Sequence, residues 1–205
     1  MIESPVLLIR RHLQAYLFLN LLFFGLVVAG AIYSFLHPGP QRELTHTIGE
    51  AFNAFPLSLA RDAYLSRNVA VAAAATFAIN SLFGSFLALT VPSLLIPFAG
   101  AFIGFFRALT WGVALSPSSP DLARAMVPHS LTLLLEGEAY VLAIFGVHLL
   151  WTSSFNGLKD GLRGLWKGYL LGLRANLAIY ALVLLTLAVS AVYEAFEVIY
   201  LVGIR

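Results

Sequence analysis

The amino-acid sequence predicts an all-α membrane protein, a polytopic bundle of about five transmembrane helices with amphipathic helices at its surfaces. Of its 205 residues, 60% are hydrophobic and 11% are charged, whereas an ordinary soluble domain is roughly 25% charged. The mean hydropathy is +0.88, which leaves too little polar surface to cover a protein of this size in water. Long uncharged runs separate the few charges. Lipid is therefore the solvent that we expect around most of the chain.

The composition also excludes several classes of function. The chain contains no cysteine, so it has no disulfide, no Cys-ligated metal and no thiol nucleophile. Its net charge is +2 and its 12 Lys and Arg residues are scattered, unlike the basic patch of a nucleic-acid-binding protein. The sequence motifs of zinc peptidases, serine hydrolases and nucleotide-binding loops are absent. We therefore expect no catalytic site, no metal, no cofactor and no nucleic-acid partner.

The first predicted span covers residues 13–36. It follows Arg10 and Arg11 and is uncharged along its length, and a helix of about 20 residues is enough to cross the hydrocarbon core. A cleavable signal peptide is the alternative, because residues 29–31 form a small-residue sequence of the kind found at cleavage sites. The apolar run is longer than the roughly 7–15 residues typical of such a signal, so we expect a retained transmembrane helix.

An amphipathic segment is predicted over residues 40–66, on the outer side of the membrane. Leu44, Ile48 and Phe52 recur there at helical spacing, and Pro56 divides the segment into two short helices. We expect these helices to lie on the membrane surface or to cover one end of the bundle.

The second and third predicted spans come from a long uncharged stretch, residues 69–106. Its length fits two spans rather than one. We predict a hairpin of helices over residues 69–90 and 94–115, with its turn between Pro92 and Pro97, because proline interrupts the hydrogen-bond ladder of a helix.

Small residues are spaced along the third predicted span. Gly100 and Gly104 are four residues apart, and Gly112 lies two turns further on the same face. Glycines at this spacing let two helix backbones approach closely in lipid. We predict that these three glycines contact another helix, either within the chain or in a second copy of it.

The fourth and fifth predicted spans cover residues 131–151 and 177–193. Between them, residues 155–174 combine a glycine face, an apolar face and a basic face. This pattern predicts an amphipathic helix on anionic lipid at the inner surface, and an ordinary basic cytoplasmic loop is the alternative. The charged residues of this region are Lys159, Asp160, Arg163, Lys167 and Arg174.

The distribution of positive charge predicts the orientation of the chain. Cytoplasmic loops carry an excess of Lys and Arg, which places both the basic region 155–174 and the Arg10–Arg11 pair in the cytoplasm. Both positions are satisfied if residues 69–106 cross the membrane twice, whereas a re-entrant loop over residues 82–97 would place the basic region outside. We therefore expect five spans in the cytoplasmic membrane, with the N-terminus in the cytoplasm.

A small set of ionisable residues falls inside or beside the last three spans. Such residues are costly in a bilayer and are therefore candidates for a functional site. His129 and Glu136 are seven residues apart, on one face of the fourth span. Arg107 and Glu136 lie at a similar depth, roughly 12 Å from the outer surface, so we predict that they form an ion pair. The candidate set is Arg107, His129, Glu136, Glu138, Glu194 and Glu197.

Several short motifs follow one another between Arg67 and Glu197. Besides the glycine-spaced third helix, they are Arg67-Asn68-Val69-Ala70-Val71-Ala72, Pro128-His129-Ser130, Leu135-Glu136-Gly137-Glu138-Ala139 and Val192-Tyr193-Glu194-Ala195-Phe196-Glu197. This order of motifs resembles the SpoIIM (stage II sporulation protein M) family of multi-pass membrane proteins. The resemblance implies a membrane scaffold, because the sporulation member recruits cell-wall-cleaving partners and other relatives are found alongside MoxR-type ATPase systems.

We therefore expect a multi-pass scaffold or assembly subunit in lipid, with protein partners from a cell-envelope or ATPase-associated complex. The glycine faces are also compatible with a homo-oligomer. The alternative is a small transporter or channel subunit, in which the intramembrane Glu, His and Arg side chains line a path for protons or a solute. A hydrolytic site built from the same side chains is a third and less favoured interpretation.

Overall fold

The structure, a computed structural model, describes residues 3–202. Within this range every regular element is a helix, which confirms the predicted all-α class. Three helical stretches are long and apolar enough to cross a membrane, namely Leu13–Leu36, Val69–Leu95 and Pro120–Val202. The last of these stretches consists of two long helices that fold back on each other.

The N-terminal part of the described chain consists of four helices. α1 (Pro5–Arg11) meets α2 (Leu13–Leu36) at a kink, and α2 has the bounds predicted for the first span. α3 (Pro38–Ala51) and α4 (Leu57–Leu65) follow on either side of Pro56. Proline begins α3, where its fixed φ suits the first turn of a helix.

α5 (Val69–Leu95) is one helix that changes its winding in the middle. The Asn68 side chain caps its start by accepting hydrogen bonds from the backbone N–H groups of Ala70 and Val71, which otherwise have no partner in the helix. Residues Ile79–Thr90 form a π-helix. This wider winding is rare in proteins and occurs often at functional sites.

The turn of the predicted hairpin lies at Pro97, the second of the two prolines, and not at Pro92. Pro92 does not end α5, because it falls in the first turn of the α-helical segment that follows the π-helix. A missing N–H is tolerated at that position. The chain reverses instead at residues 96–98, where Phe98 adopts a left-handed backbone with φ 59°. α6 (Ala99–Ala114) therefore begins at residue 99 rather than at residue 94.

Glycines bring α6 into contact with its neighbours. A β-carbon at Gly112 would lie 2.0 Å from the carbonyl oxygen of Val27 in α2, and one at Gly100 would lie 1.9 Å from that of Leu89 in α5. A β-carbon at Gly104 would lie 2.6 Å from a side-chain carbon of the long helix that follows. All three glycines therefore face another helix of the same chain. At Gly100 and Gly112 the neighbouring atoms belong to the backbone, so a side chain larger than hydrogen does not fit there.

α7 (Pro120–Gly157) and α8 (Gly161–Phe196) form a long antiparallel hairpin. A short 3-10 turn, Leu158–Asp160, joins them, and α8 continues beyond its last α-helical residue as a π-helix, Glu197–Val202. The fourth and fifth predicted spans lie within these two helices, which extend well beyond the predicted bounds.

The glycine-rich region 155–174 is not the separate surface helix that its pattern predicted. The chain reverses within it, and its glycine face packs between the two arms of the hairpin. A β-carbon at Gly164 would lie 2.1 Å from the carbonyl oxygen of Gly157, and one at Gly168 would lie 2.2 Å from that of Ser153. The turn could not be recognised in the sequence, because the glycines keep their helical spacing through it.

α7 is the central helix of the bundle. Its residues 139–147 are all buried, and Phe23 of α2, Leu89 of α5 and Ile179 of α8 belong to the same hydrophobic core. Because the other long helices surround α7, the polar side chains on its inner faces are enclosed by protein.

Candidate functional site

Four ionisable side chains from two helices meet at one end of the bundle. His129 and Glu136 lie on α7, and Glu194 and Glu197 lie where α8 ends and its π-helical extension begins. Charge interactions link Glu136 to His129 and Glu194 to both other carboxyls. We call these four residues the acid cluster. They meet because α7 and α8 are antiparallel. α5 packs against α8 beside this cluster, and α4 packs against α5.

Glu197 is completely buried, with 0% relative exposure. It accepts a hydrogen bond from the Thr132 hydroxyl at 2.6 Å, and Nδ1 of His129 lies 3.1 Å from its other carboxylate oxygen. Thr132 is one helical turn from His129, so α7 presents a hydroxyl and an imidazole to the same carboxyl group. A buried carboxyl group is tolerated when its oxygens have such partners.

Glu194 lies one helical turn before Glu197, and its carboxyl group has fewer hydrogen-bond partners among the described residues. Its Oε2 atom is buried and makes no hydrogen bond with any described residue. The Tyr64 hydroxyl of α4 lies close to the Glu194 carboxyl and is 3.0 Å from the Thr76 hydroxyl. Burial raises the pKa of the Tyr64 phenol, and the neighbouring Glu194 carboxyl raises it further. Tyr64 is therefore a neutral O–H donor at the edge of the acid cluster.

Glu136 is connected to Arg107 through a tyrosine. The Tyr140 hydroxyl donates a hydrogen bond to Glu136 at 2.8 Å, and the Arg107 guanidinium lies 4.7 Å from the centroid of the Tyr140 ring. Nη1 of Arg107 also donates to the Gly84 carbonyl oxygen at 3.0 Å. Gly84 belongs to the π-helix of α5, and a β-carbon there would lie 2.6 Å from the Tyr140 hydroxyl. The absence of a side chain at Gly84 therefore makes room for this contact.

The predicted direct ion pair between Arg107 and Glu136 is wrong. No ion pair within 4.0 Å joins them among the described residues. The physical reason is Tyr140, which lies one turn after Glu136 on the same face of α7 and takes the place of the direct contact. Equal depth along two helix axes does not bring two side chains into contact when an aromatic side chain lies between them.

Glu138 is also separate from the acid cluster. Two residues along an α-helix correspond to a rotation of about 200°, so Glu138 faces a different neighbour from Glu136. The Tyr16 hydroxyl of α2 donates a hydrogen bond to it. The carboxyl groups of α7 in the candidate set therefore belong to two sites, one toward α8 and one toward α2.

Four residues belong to the site although the candidate set lacked them. Thr132 and Tyr140 can be identified from their spacing in the sequence. Thr132 lies three residues after His129, and Tyr140 lies four residues after Glu136, so each shares a helix face with a candidate residue. Tyr64 and Gly84 carry no comparable local signal, since they come from other helices and reach the site through tertiary packing.

The chemistry of the site is that of hydrogen-bonded carboxyl groups in a region of low polarity. Within residues 3–202, no group of three or more His, Asp or Glu side chains is arranged to hold a metal ion. The arrangement can fix the positions of helices through polar contacts, and it can hold a proton.

The fold and site define a helical bundle with long apolar helices, glycine-mediated backbone contacts and an acid cluster between α7 and α8. No protein-family model, no curated protein and no solved structure matches this chain.

Proposed function

We propose that this chain is a multi-pass scaffold subunit of the cytoplasmic membrane, which anchors or assembles partner proteins. The observation that carries the proposal is that ionisable side chains inside the bundle bind across helices. Thr132 of α7 holds Glu197 of α8, and the backbone of α5 holds Arg107 of α6. Polar contacts of this kind, together with backbone contacts at glycines, favour a rigid anchor over a bundle with an open path. The resemblance to the SpoIIM family supports the same role.

The proposed membrane topology has five crossings, made by α2, α5, α6, α7 and α8. The 16 residues of α6 extend about 24 Å at about 1.5 Å per residue. The 38 residues of α7 extend about 57 Å on the same rise, which exceeds the roughly 30 Å hydrocarbon core. The ends of α7 and α8 would therefore project beyond the membrane.

Aromatic and basic residues support a cytoplasmic position for the tip of the α7–α8 hairpin. Nε1 of Trp151 donates to the Ser93 carbonyl oxygen at 2.6 Å, and the Tyr169 hydroxyl donates to that of Leu94 at 2.9 Å. Tryptophan and tyrosine are enriched at the membrane–water interface, and basic residues at its cytoplasmic side. The exposed basic residues beyond this aromatic pair are Lys159, Arg163 and Lys167.

Cysteine labelling in intact cells tests this topology. Because the natural chain has no cysteine, single variants are free of background. We expect Asp121→Cys and Glu43→Cys to react with a membrane-impermeant thiol reagent added outside, and Lys159→Cys to react after the membrane is permeabilised. All three positions are exposed in the structure. Labelling of Lys159→Cys in intact cells, with protection of Asp121→Cys, would contradict the five-span topology.

α3 is the surface that we assign to a partner protein. Gln41 is the buried residue of this helix, and its side-chain amide donates to the carbonyl oxygens of Ala114 and Ser116 at 3.1 and 2.8 Å. These contacts fix the base of α3, while the rest of the helix is largely uncovered. A fixed amphipathic helix with an uncovered face is suited to binding in the groove of another protein.

Recovery of partners from native membranes tests the scaffold. We expect the full chain, purified in mild detergent, to bring down specific proteins in fixed proportion, and the triple variant Arg42→Ala, Glu43→Ala and Glu50→Ala to lose them. The three side chains are exposed, so the variant should fold normally. The matched control replaces Lys159, Arg163 and Lys167 by alanine at the hairpin tip. A chain that purifies alone, or one whose partners are unaffected by the α3 variant, would contradict the proposal.

A transporter or channel subunit is the second candidate function. The observation that favours it is the buried Oε2 atom of Glu194, which has no hydrogen-bond partner among the described residues. A carboxyl group of this kind is typical of proton and ion pathways in membrane proteins. Flux of protons or small ions through vesicles containing the purified chain, lost in Glu194→Gln, would favour this function over the scaffold.

A further inference from the structure

We propose that the acid cluster is a proton-binding site, with one exchangeable proton on Glu194 that enters and leaves on the side of the bundle covered by α4. The proposal goes beyond the scaffold and does not depend on it. It follows from the charges that meet in the cluster, from the partners of each carboxyl group and from the position of Tyr64.

The charges in and around the cluster do not balance when every carboxyl group is ionised. Among the described residues, the cluster joins three carboxylates, those of Glu136, Glu194 and Glu197, to two groups able to carry positive charge, Arg107 and His129. Even with both of these groups charged, one negative charge remains in excess. An uncompensated charge is very costly inside a protein or a bilayer. Binding of one proton from water removes the excess, because it converts one carboxylate to a neutral carboxylic acid.

The three carboxyl groups differ in their partners, and this difference assigns the proton to Glu194. Glu197 has the Thr132 hydroxyl and the His129 imidazole, and Glu136 has the Tyr140 hydroxyl. These donors stabilise ionised carboxylates. Glu194 has the Tyr64 hydroxyl beside it, but its Oε2 atom is buried without a hydrogen-bond partner among the described residues, and it lies near both other carboxyl groups. Its ionised form is therefore the least stabilised of the three.

The surroundings of Glu194 favour exchange on one side. From α4, Tyr64 is the titratable group that faces the carboxyl, and its hydroxyl also contacts Thr76 of α5. From α7, the facing groups are Glu136 and Tyr140. α4 is a short helix of 9 residues, so movement of Tyr64 away from Thr76 would give water access to Glu194. Arg107 is held beside Tyr140 by the Gly84 carbonyl, and its positive charge opposes passage of a proton toward α6.

Infrared spectroscopy of the purified full chain in lipid nanodiscs tests the proposal. We expect a carbonyl stretch of a protonated carboxylic acid at neutral pH, shifted in heavy water, and we expect Glu194→Gln to lose this band. Glu43→Gln, on the exposed face of α3, is the matched control and should retain it. Persistence of the band in Glu194→Gln, or its loss in Glu136→Gln instead, would overturn the assignment.

Two further measurements keep the proposal testable if Glu194→Gln fails to fold. Tyr64→Phe retains the ring and removes the hydroxyl beside the Glu194 carboxyl, so the band should shift in frequency while the protein stays folded. An unchanged frequency would contradict the proposed position of the proton. Replacement of potassium by sodium at constant ionic strength should leave the band unchanged, because a proton occupies the site. Loss of the band in sodium would identify a metal-cation site and overturn the proton assignment.

Discussion

Replacement of Gly112 by alanine should separate α6 from α2 and lower the free energy of unfolding by about 3 kcal/mol, the upper end of the usual cost of overpacking. The added β-carbon would lie 2.0 Å from the carbonyl oxygen of Val27 and 2.9 Å from the backbone nitrogen of Ala31. Backbone atoms cannot move aside as the end of a flexible side chain can. The whole helix pair must therefore shift, and the polar contacts between α2 and the end of α6 would shift with it.

Unfolding in a denaturing detergent, followed by circular dichroism, measures this loss. The matched control is Gly25→Ala in α2, because a β-carbon at Gly25 meets nothing within 4 Å. That variant should be as stable as the natural chain or more stable by about 1 kcal/mol, the difference in helix propensity between glycine and alanine. A β-carbon at Gly30 would lie 2.4 Å from the Leu109 carbonyl oxygen, on the α2 side of the same helix contact. Gly30→Ala should therefore lose stability as Gly112→Ala does. Equal stability of Gly112→Ala and Gly25→Ala would show that close backbone contact between α2 and α6 is not needed.

Replacement of Glu197 by alanine should lower the free energy of unfolding by about 3–5 kcal/mol, the usual cost of removing one member of a buried polar pair. The completely buried carboxyl group accepts from Thr132 at 2.6 Å and contacts His129 at 3.1 Å. Its removal leaves both groups on α7 without a partner and opens a cavity between α7 and the end of α8. The same detergent titration measures the loss.

Two comparisons separate the polar contact from the loss of volume. Glu197→Gln keeps an acceptor oxygen for Thr132 and should cost about 1 kcal/mol, in the range of a single hydrogen bond. Thr132→Val combined with Glu197→Ala should cost less than the sum of the two single variants, because the second change removes a group that the first left unpaired. Additive losses would mean that the contact between α7 and α8 contributes nothing beyond packing.

Local features of the sequence predicted much of the bundle. The uncharged run after Arg11 defines α2 to the residue, and Pro56 separates the two short helices that follow. Gly100 and Gly112 could be assigned to helix contacts because glycines at such spacing let two helix backbones approach closely in lipid. His129 and Glu136 share one face of α7 through helical spacing, and both belong to the acid cluster.

Other features could not be predicted from local pattern. Pro92 was expected to end a helix, but a π-helix before it places the proline at a position where its missing N–H is harmless. Arg107 was expected to pair with Glu136, but Tyr140 lies between them. The first outcome depends on a change of winding within α5 and the second on how α6 and α7 are rotated relative to each other, and the regular spacing of residues along a helix gives neither.

Composition and short-range pattern were sufficient to establish an all-α chain with apolar helices of membrane-spanning length, because transfer to lipid and helix formation depend on each residue and its near neighbours. The partners of the polar side chains depended on the folded bundle. Glu194 meets Tyr64, and Arg107 meets Gly84, through the rotation and depth of helices far apart in the chain. Those rotations are set by contacts such as Gly112 on Val27, where steric fit between two distant backbones decides which faces meet.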